Sequence, residues 1–216
     1  MTITDTQLTP RLVRAMNRAG TFEQNTSGLC PGHIQANLVI LPASEAFDFL
    51  RFCIQNPAPC PILEVTAPGH WNTTLIAADT DLRTDLGRYE VHRHGHPTET
   101  RTDILDLATD DLVSFALGCS YTFEHLLAAA NIPIRHHQQG VAGAPMYITN
   151  RPCTPAGRFH GHLVVTMRPI PADRVADAVT ITAAHPEAHG APLSIGAPEQ
   201  LGITNLNHPD WGQPVT

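Results

Sequence analysis

Apolar positions along the chain change period several times. Over Ser44–Gln55 the period is helical, with Phe47, Leu50 and Ile54 on one face and Glu45, Asp48 and Arg51 on the other. The apolar run Asn37–Leu41 before it reads as a buried strand. After it, Pro57, Pro59 and Pro61 stop the helix ahead of a second strand at Ile62–Val65. The unit is strand–helix–strand. Upstream, Thr9 as N-cap and Pro10 as first helical residue predict a short helix that ends at Gly20.

The pattern returns downstream. Asn150–Val165 lies on Asn25–Ile40 without a gap, pairing Asn25 with Asn150, Gly32 with Gly157, Leu38 with Leu163 and Val39 with Val164. Pro171 then answers Pro42, and a helix over Asp173–Thr182 sets Val175, Val179 and Thr182 on one face. Ala191-Pro-Leu193 answers Cys60-Pro-Ile62. This order predicts an α/β fold with a duplicated strand–helix–strand core and a mixed sheet, formed by residues 1–87 and 150–216. The two equivalent loops are expected to face one crevice, where α/β folds place ligands. Residues 88–149 read as a smaller α+β subdomain with crossover helices. Its expected elements are strands at Arg88–His94 and Ile134–His137, a short helix at Asp110–Leu117 stopped by Gly118, and a second helix, Phe123–Ala130, capped by Thr122.

Composition narrows the function classes. The 216 residues are 42% hydrophobic and 15% charged, enough apolar material for a core and too much for disorder. Every basic residue is an arginine, which excludes a Schiff-base lysine, pyridoxal phosphate held on lysine, and a P-loop. A formal charge of -7, without a basic run, argues against nucleic acid. Apolar runs are too short for a membrane span, and the polar segment Met1–Pro10 lacks the layout of a signal peptide. The five cysteines form no CxxC pair, so reduced thiols in a cytoplasm are expected.

The sharpest local pattern is Gly118-Cys119-Ser120-Tyr121-Thr122-Phe123-Glu124. Taken as a helix stop running into a helix start, it would favour an anion and lower the Cys119 pKa. Cys119, Ser120 and Glu124 are therefore candidate catalytic residues, with His189 beside Gly190 as a further acid/base. Ordinary burial and capping are the competing explanation. The paired loops offer Thr26, Ser27, Asn150 and Cys153 as substrate ligands, together with Asn37 on the first strand; turn chemistry alone would also select such residues. Arg83 and Arg168 are the arginines best placed to hold a carboxylate, unless Asp85, Asp110 or Asp111 neutralises them internally. Among 13 histidines, His92-Arg-His94-Gly-His96 and His185/His189 are the groups whose spacing comes nearest to that of metal ligands. Neither has a zinc-site spacing, so no metal or other cofactor is expected.

Several of these stretches resemble a bacterial hydro-lyase family related in sequence to a region of mitochondrial D-glutamate cyclase. They are Thr26–Pro42, Ala46–Leu50, Cys60–Thr66, Asp81–Asp85, Gly118–Ser120 with Phe123 and Glu124, Met167–Pro169 and His189–Pro192. The resemblance implies an α/β fold with a duplicated core. It also implies a cofactor-independent lyase or cyclase acting with loss of water on a small carboxylate, as in the conversion of D-glutamate to 5-oxo-D-proline. Family members are expected to continue past Pro209–Gly212 with a further strand, which would make this chain a shortened member. That shortening motivates two alternatives: a non-catalytic small-molecule binding or assembly protein, and a cyclase or dehydratase of a specialised pathway. An uncovered sheet edge would favour a homodimer.

Overall fold

The computed structural model describes residues 8–22 and 24–216; most of the polar segment Met1–Pro10 lies outside the described residues. Helix α1 (Pro10–Arg18) begins as its sequence demands, Thr9 Oγ1 accepting the Leu12 N–H at 3.3 Å. It is tied down by Asp85, which accepts from Arg18 Nη2 at 2.8 Å.

The first unit folds as strand β1 (Ala36–Pro42), helix α2 (Ala43–Gln55) and strand β2 (Ile62–Val65). Strands β3 (Tyr89–Arg93) and β4 (His96–Arg101) make the hairpin that carries the His92–His96 tract. Next come β5 (Leu112–Gly118), a 3₁₀ turn (Ser120–Phe123), and helices α3 (Glu124–Ala129) and α4 (Arg135–Gln138). The second unit supplies β6 (Met146–Pro152), β7 (His162–Thr166) and α5 (Val175–Ala183), with no strand at residues 191–193. The fold is α/β, and the three small sheets among the described residues are built from antiparallel pairs.

Four expectations need correction. Asp110–Leu117 contains no helix. It holds β5, the centre of the sheet β1-β5-β2, where Val113, Ser114, Phe115 and Ala116 are all buried. A strand covered on both faces loses its alternation and cannot be told from a helix by period alone. Ile134–His137 is not a strand either, because α4 occupies Arg135–Gln138. In α2 the buried face is Phe49 and Cys53, packed with Leu50 against Phe115, while Phe47 and Ile54 are exposed. Apolar residues on nearly every turn of that helix leave two overlapping faces, and the aromatic contact Phe49–Phe115, at 4.9 Å between ring centroids, settles which packs inward. Finally, β1 is a half-buried edge strand whose one neighbour among the described residues is β5.

The units meet around the end of β5. Phe123 and Leu127 pack with Ala178 of α5 and Ala188. Gly118 passes so close to the Glu187 carbonyl that a Cβ there would lie 1.6 Å from its oxygen, so no larger residue fits. Asn56, just past α2, exchanges two hydrogen bonds with the backbone of Thr154, at 2.9 and 2.8 Å.

Candidate functional site

Three segments converge beyond Gly118. The first is the loop Asn25–Gly32, where Asn25 Oδ1 accepts the Ser27 N–H at 3.0 Å in an Asx turn. Its neighbour Thr26 donates to Gln35 Oε1, and the Gln35 N–H donates to Thr122 Oγ1 at 3.0 Å, fastening the loop to the 3₁₀ turn. The second is that turn itself, which delivers Glu124 at the head of α3. The third is α4, which brings His136 and His137. Gly28 has φ +76°, and a Cβ on it would come within 2.9 Å of the His137 ring, so glycine lets the imidazole lie against the loop.

Glu124 is the hub, with a side chain only 2% exposed. Its Oε1 accepts from Arg168 Nη2 at 2.7 Å and Nε at 3.3 Å, and its Oε2 accepts from Ser27 Oγ at 2.7 Å. His136 Nε2 stands 3.4 Å from Oε1 and His137 Nε2 3.8 Å from Oε2. Ser27 Oγ is also 3.0 Å from His136 Nε2 and 2.8 Å from His137 Nε2. A hydroxyl has one proton; given to Glu124, it leaves both imidazoles donating to Ser27 through Nε2. Desolvation pushes the Glu124 carboxyl up, but the hydrogen bond from His136, the charge and bonds of Arg168 and the Ser27 bond outweigh it and hold it down at about 2.

Arg168 follows β7 and spans the group. Its Nη2 also donates to Ser120 Oγ at 3.0 Å, its Nη1 donates to Thr166 Oγ1 at 3.1 Å, and the Phe123 ring lies 5.4 Å away. The cleft beside this cluster has a volume of about 230 Å³ and is lined by His33, Gln35, Tyr121, His125 and His137, with Glu124 at its inner wall.

The residues expected to form a site divide into two sets. Ser27, Ser120, Glu124 and Arg168 are joined by direct hydrogen bonds, and Thr26 backs them. Cys119 adjoins them, within hydrogen-bonding reach of the Asn37 side chain and under the charge of Arg168. Burial pushes its thiol up, against the lowering by the Tyr121 N–H, the reverse of the effect expected from a helix start. The strand end of β5, not a helix, precedes it. His189 Nδ1 lies 2.8 Å from the Ala58 carbonyl, and its pKa is lowered by burial and by Arg168.

The other set lies elsewhere. Arg83 grips Asp81 through Nε and Nη2, both at 2.8 Å, beside Trp71. Asn150 reaches toward the Gln200 carbonyl at 3.5 Å, and the Cys153 thiol, raised by burial, sits near Cys60. The paired loops are therefore placed differently: the first enters the cluster, and the second packs on the end of α2. His136 and His137 were missed in the sequence. Adjacent histidines between Pro133 and Gly140 were the available signal, but a four-residue helix is too short to show a period.

A family profile described as D-glutamate cyclase matches residues 113–216. Proteins named "Putative hydro-lyase" match nearly the whole chain. One from Geobacillus kaustophilus is 51% identical over 203 residues, 94% of this chain and 77% of that protein. One from Jannaschia sp. is 53% identical over 203 residues, covering 94% and 76%, and one from Agrobacterium fabrum is 51% identical over 207 residues, covering 95% and 76%. The chain belongs to this family. The names of these relatives and the description of the profile together point to a lyase or cyclase in general. The matched profile takes in Glu124, His136, His137 and Arg168, while Ser27 lies ahead of it. Among the described residues, no helix is long and apolar enough to cross a membrane.

Proposed function

We propose that this chain removes water from a small carboxylate, most simply by closing an amino dicarboxylate such as D-glutamate to its five-membered lactam, 5-oxo-D-proline. The observation that carries the proposal is the buried Glu124 carboxylate, bonded at once to Arg168 and Ser27 and opening with His137 onto the cleft. In the reaction the substrate amine attacks the distal carboxyl carbon, a C–N bond forms and a C–O bond breaks. The ammonium gives up two protons, one before attack and one after, and the departing carboxylate oxygen takes both and leaves as water. His137, whose side chain is 38% exposed, can relay a proton from the nitrogen to the departing oxygen at the cleft wall.

Glu124 then serves as a positioning residue. Held ionised, it orients Ser27, His136 and Arg168 and is a poor acid itself. The family names and the chemistry of the cleft support the reaction class, and the cleft volume suits a molecule of few heavy atoms. The test is incubation of the purified protein with D-glutamate, L-glutamate and related acids, following loss of the amine by chromatography. Turnover that falls at least about tenfold in Glu124→Gln and His137→Asn is expected. Turnover untouched by both changes would remove the cluster from the mechanism. A ligand-induced thermal shift without turnover would replace the lyase with a binding protein.

A further inference from the structure

We propose that Glu124, His136 and His137, joined by the Ser27 hydroxyl, form a binding site for one divalent first-row transition ion of the zinc type. One carboxylate oxygen and two imidazole nitrogens lie within 4.8 Å of one another, and among the described residues no second group of three such ligands comes together. The histidine tracts prominent in the sequence, at His92–His96 and His185/His189, form no such group.

The convergence is what distinguishes this cluster from a hydrogen-bond network. Glu124 Oε2, His136 Nε2 and His137 Nε2 all point at one spot, marked by Ser27 Oγ at 2.7, 3.0 and 2.8 Å. The serine hydroxyl satisfies all three groups only while both imidazoles carry their proton on Nε2; in the other tautomer two lone pairs face its oxygen. A cation accepts a lone pair from all three and from the serine oxygen as well. The separations also suit an ion: bonds of about 2.0–2.1 Å in a tetrahedron set ligand atoms roughly 3.4 Å apart. Glu124 Oε2 stands 3.8 Å from His137 Nε2, Oε1 stands 3.4 Å from His136 Nε2, and one ligand atom from each of the three residues falls within 4.8 Å of the others, so a modest closing-in brings them to ligand spacing. Ligand type agrees, since imidazole with a carboxylate suits zinc and its neighbours in the series.

The surroundings complete the design. Glu124 and His136 are buried, which keeps competing water away, while His137 stands at the cleft and leaves a side open to a small molecule. Arg168 holds Oε1, beside His136, and leaves Oε2 facing Ser27 and His137, as an outer partner does for a ligating carboxylate. Its charge offsets that of Glu124, so an added dication leaves the pocket net positive and receptive to an anionic substrate. The role of such an ion in turnover rests on the proposed lyase function: it would polarise the carboxyl group that loses its oxygen, and His137 would then serve as a ligand in place of its proton-moving role. Binding itself stands independently of that function.

The test uses the full chain after treatment with a chelator, titrated with Zn²⁺ by calorimetry and with Co²⁺ by visible absorption. One equivalent, a low-symmetry cobalt spectrum and a raised Tm are expected. His137→Asn, at the cleft surface and tolerable to the fold, should weaken binding by about 10–100-fold or more. His136→Gln should do the same, whereas His92→Asn on the β3–β4 hairpin should leave binding unchanged. Absence of stoichiometric binding, or binding indifferent to His136→Gln and His137→Asn, would overturn the site. Lyase activity assayed before and after metal restoration separates the two proposals. Turnover in protein that binds no metal sinks the metal site alone, and tight binding without turnover on any acid sinks the lyase alone.

Discussion

Ser27 Oγ donates to Glu124 Oε2 across 2.7 Å, joining residues 97 positions apart in the chain. Through this bond the first loop, the turn after β5 and the residue following β7 become one charged network, because Glu124 also holds Arg168.

Removing Arg168 should expose the strength of that network. Arg168→Met leaves a buried carboxylate without its cation and is expected to cost about 3–5 kcal/mol in urea unfolding. The double change with Glu124→Gln should cost less than Arg168→Met alone, since no buried charge is then stranded. Arg168→Lys should recover only part of the loss, because one ammonium cannot reproduce the guanidinium fork that bridges Glu124 and Ser120.

Glu64 offers a test of pH dependence away from the site. Desolvation pushes its carboxyl up, but the N–H groups of Thr74, Leu75 and Ile76 and the Thr74 hydroxyl pull it below the usual range. A depressed folded-state pKa contributes stability that is present above the unfolded value and lost as pH falls through the folded one. Glu64→Gln should therefore be destabilised by about 1–3 kcal/mol at neutral pH. The gap from wild type should close under acid, as followed by urea midpoints from pH 7 down to pH 3. A gap constant with pH would show that the charge on Glu64 is irrelevant.

The junction between the units is sterically exacting. Gly118→Ala sets a methyl group against the Glu187 carbonyl, and either β5 or the turn at Pro186–Ala188 must shift. A loss of about 3 kcal/mol or more, at the upper end of overpacking costs, is expected from chemical denaturation. A near-neutral result would mean that the two backbones part easily.

Thiol reactivity should separate the cysteines. Cys60 is lowered because the Cys53 thiol hydrogen-bonds its sulfur, whereas burial raises Cys119 and Cys30. Limited treatment with iodoacetamide near pH 8, read by peptide mass spectrometry, should label Cys60 first. Earlier labelling of Cys119 would instead restore it as a nucleophile.

Local chemistry made much of the fold legible. Thr9 and Pro10 start α1, the prolines after Gln55 end α2, and the polar His92–His96 stretch turns a hairpin. Ser27, Ser120, Glu124 and Arg168 were recognisable as residue types suited to a charged site, and they are in contact. What stayed hidden depends on tertiary neighbours. The placement of β5 between β1 and β2 erases the alternation that would have revealed it. The choice of buried face on α2 rests on Phe115, which is distant in sequence. His136 and His137 gain meaning only when α4 folds back over Gly28. Arg83 looked as available as Arg168, but Asp81, two residues away, holds it.

The order β1-β5-β2 also constrains how the chain assembles. Neither outer strand bonds to the other, so a ribosome that has released β1, α2 and β2 has released two strands with nothing to pair with. Their edges stay open until Leu112–Gly118 emerges and slides between them. Closure of a loop that long makes the step slow relative to helix formation and leaves apolar edges exposed during synthesis. Pauses in translation shortly before β5 would lengthen that exposure, and chaperone demand should peak there.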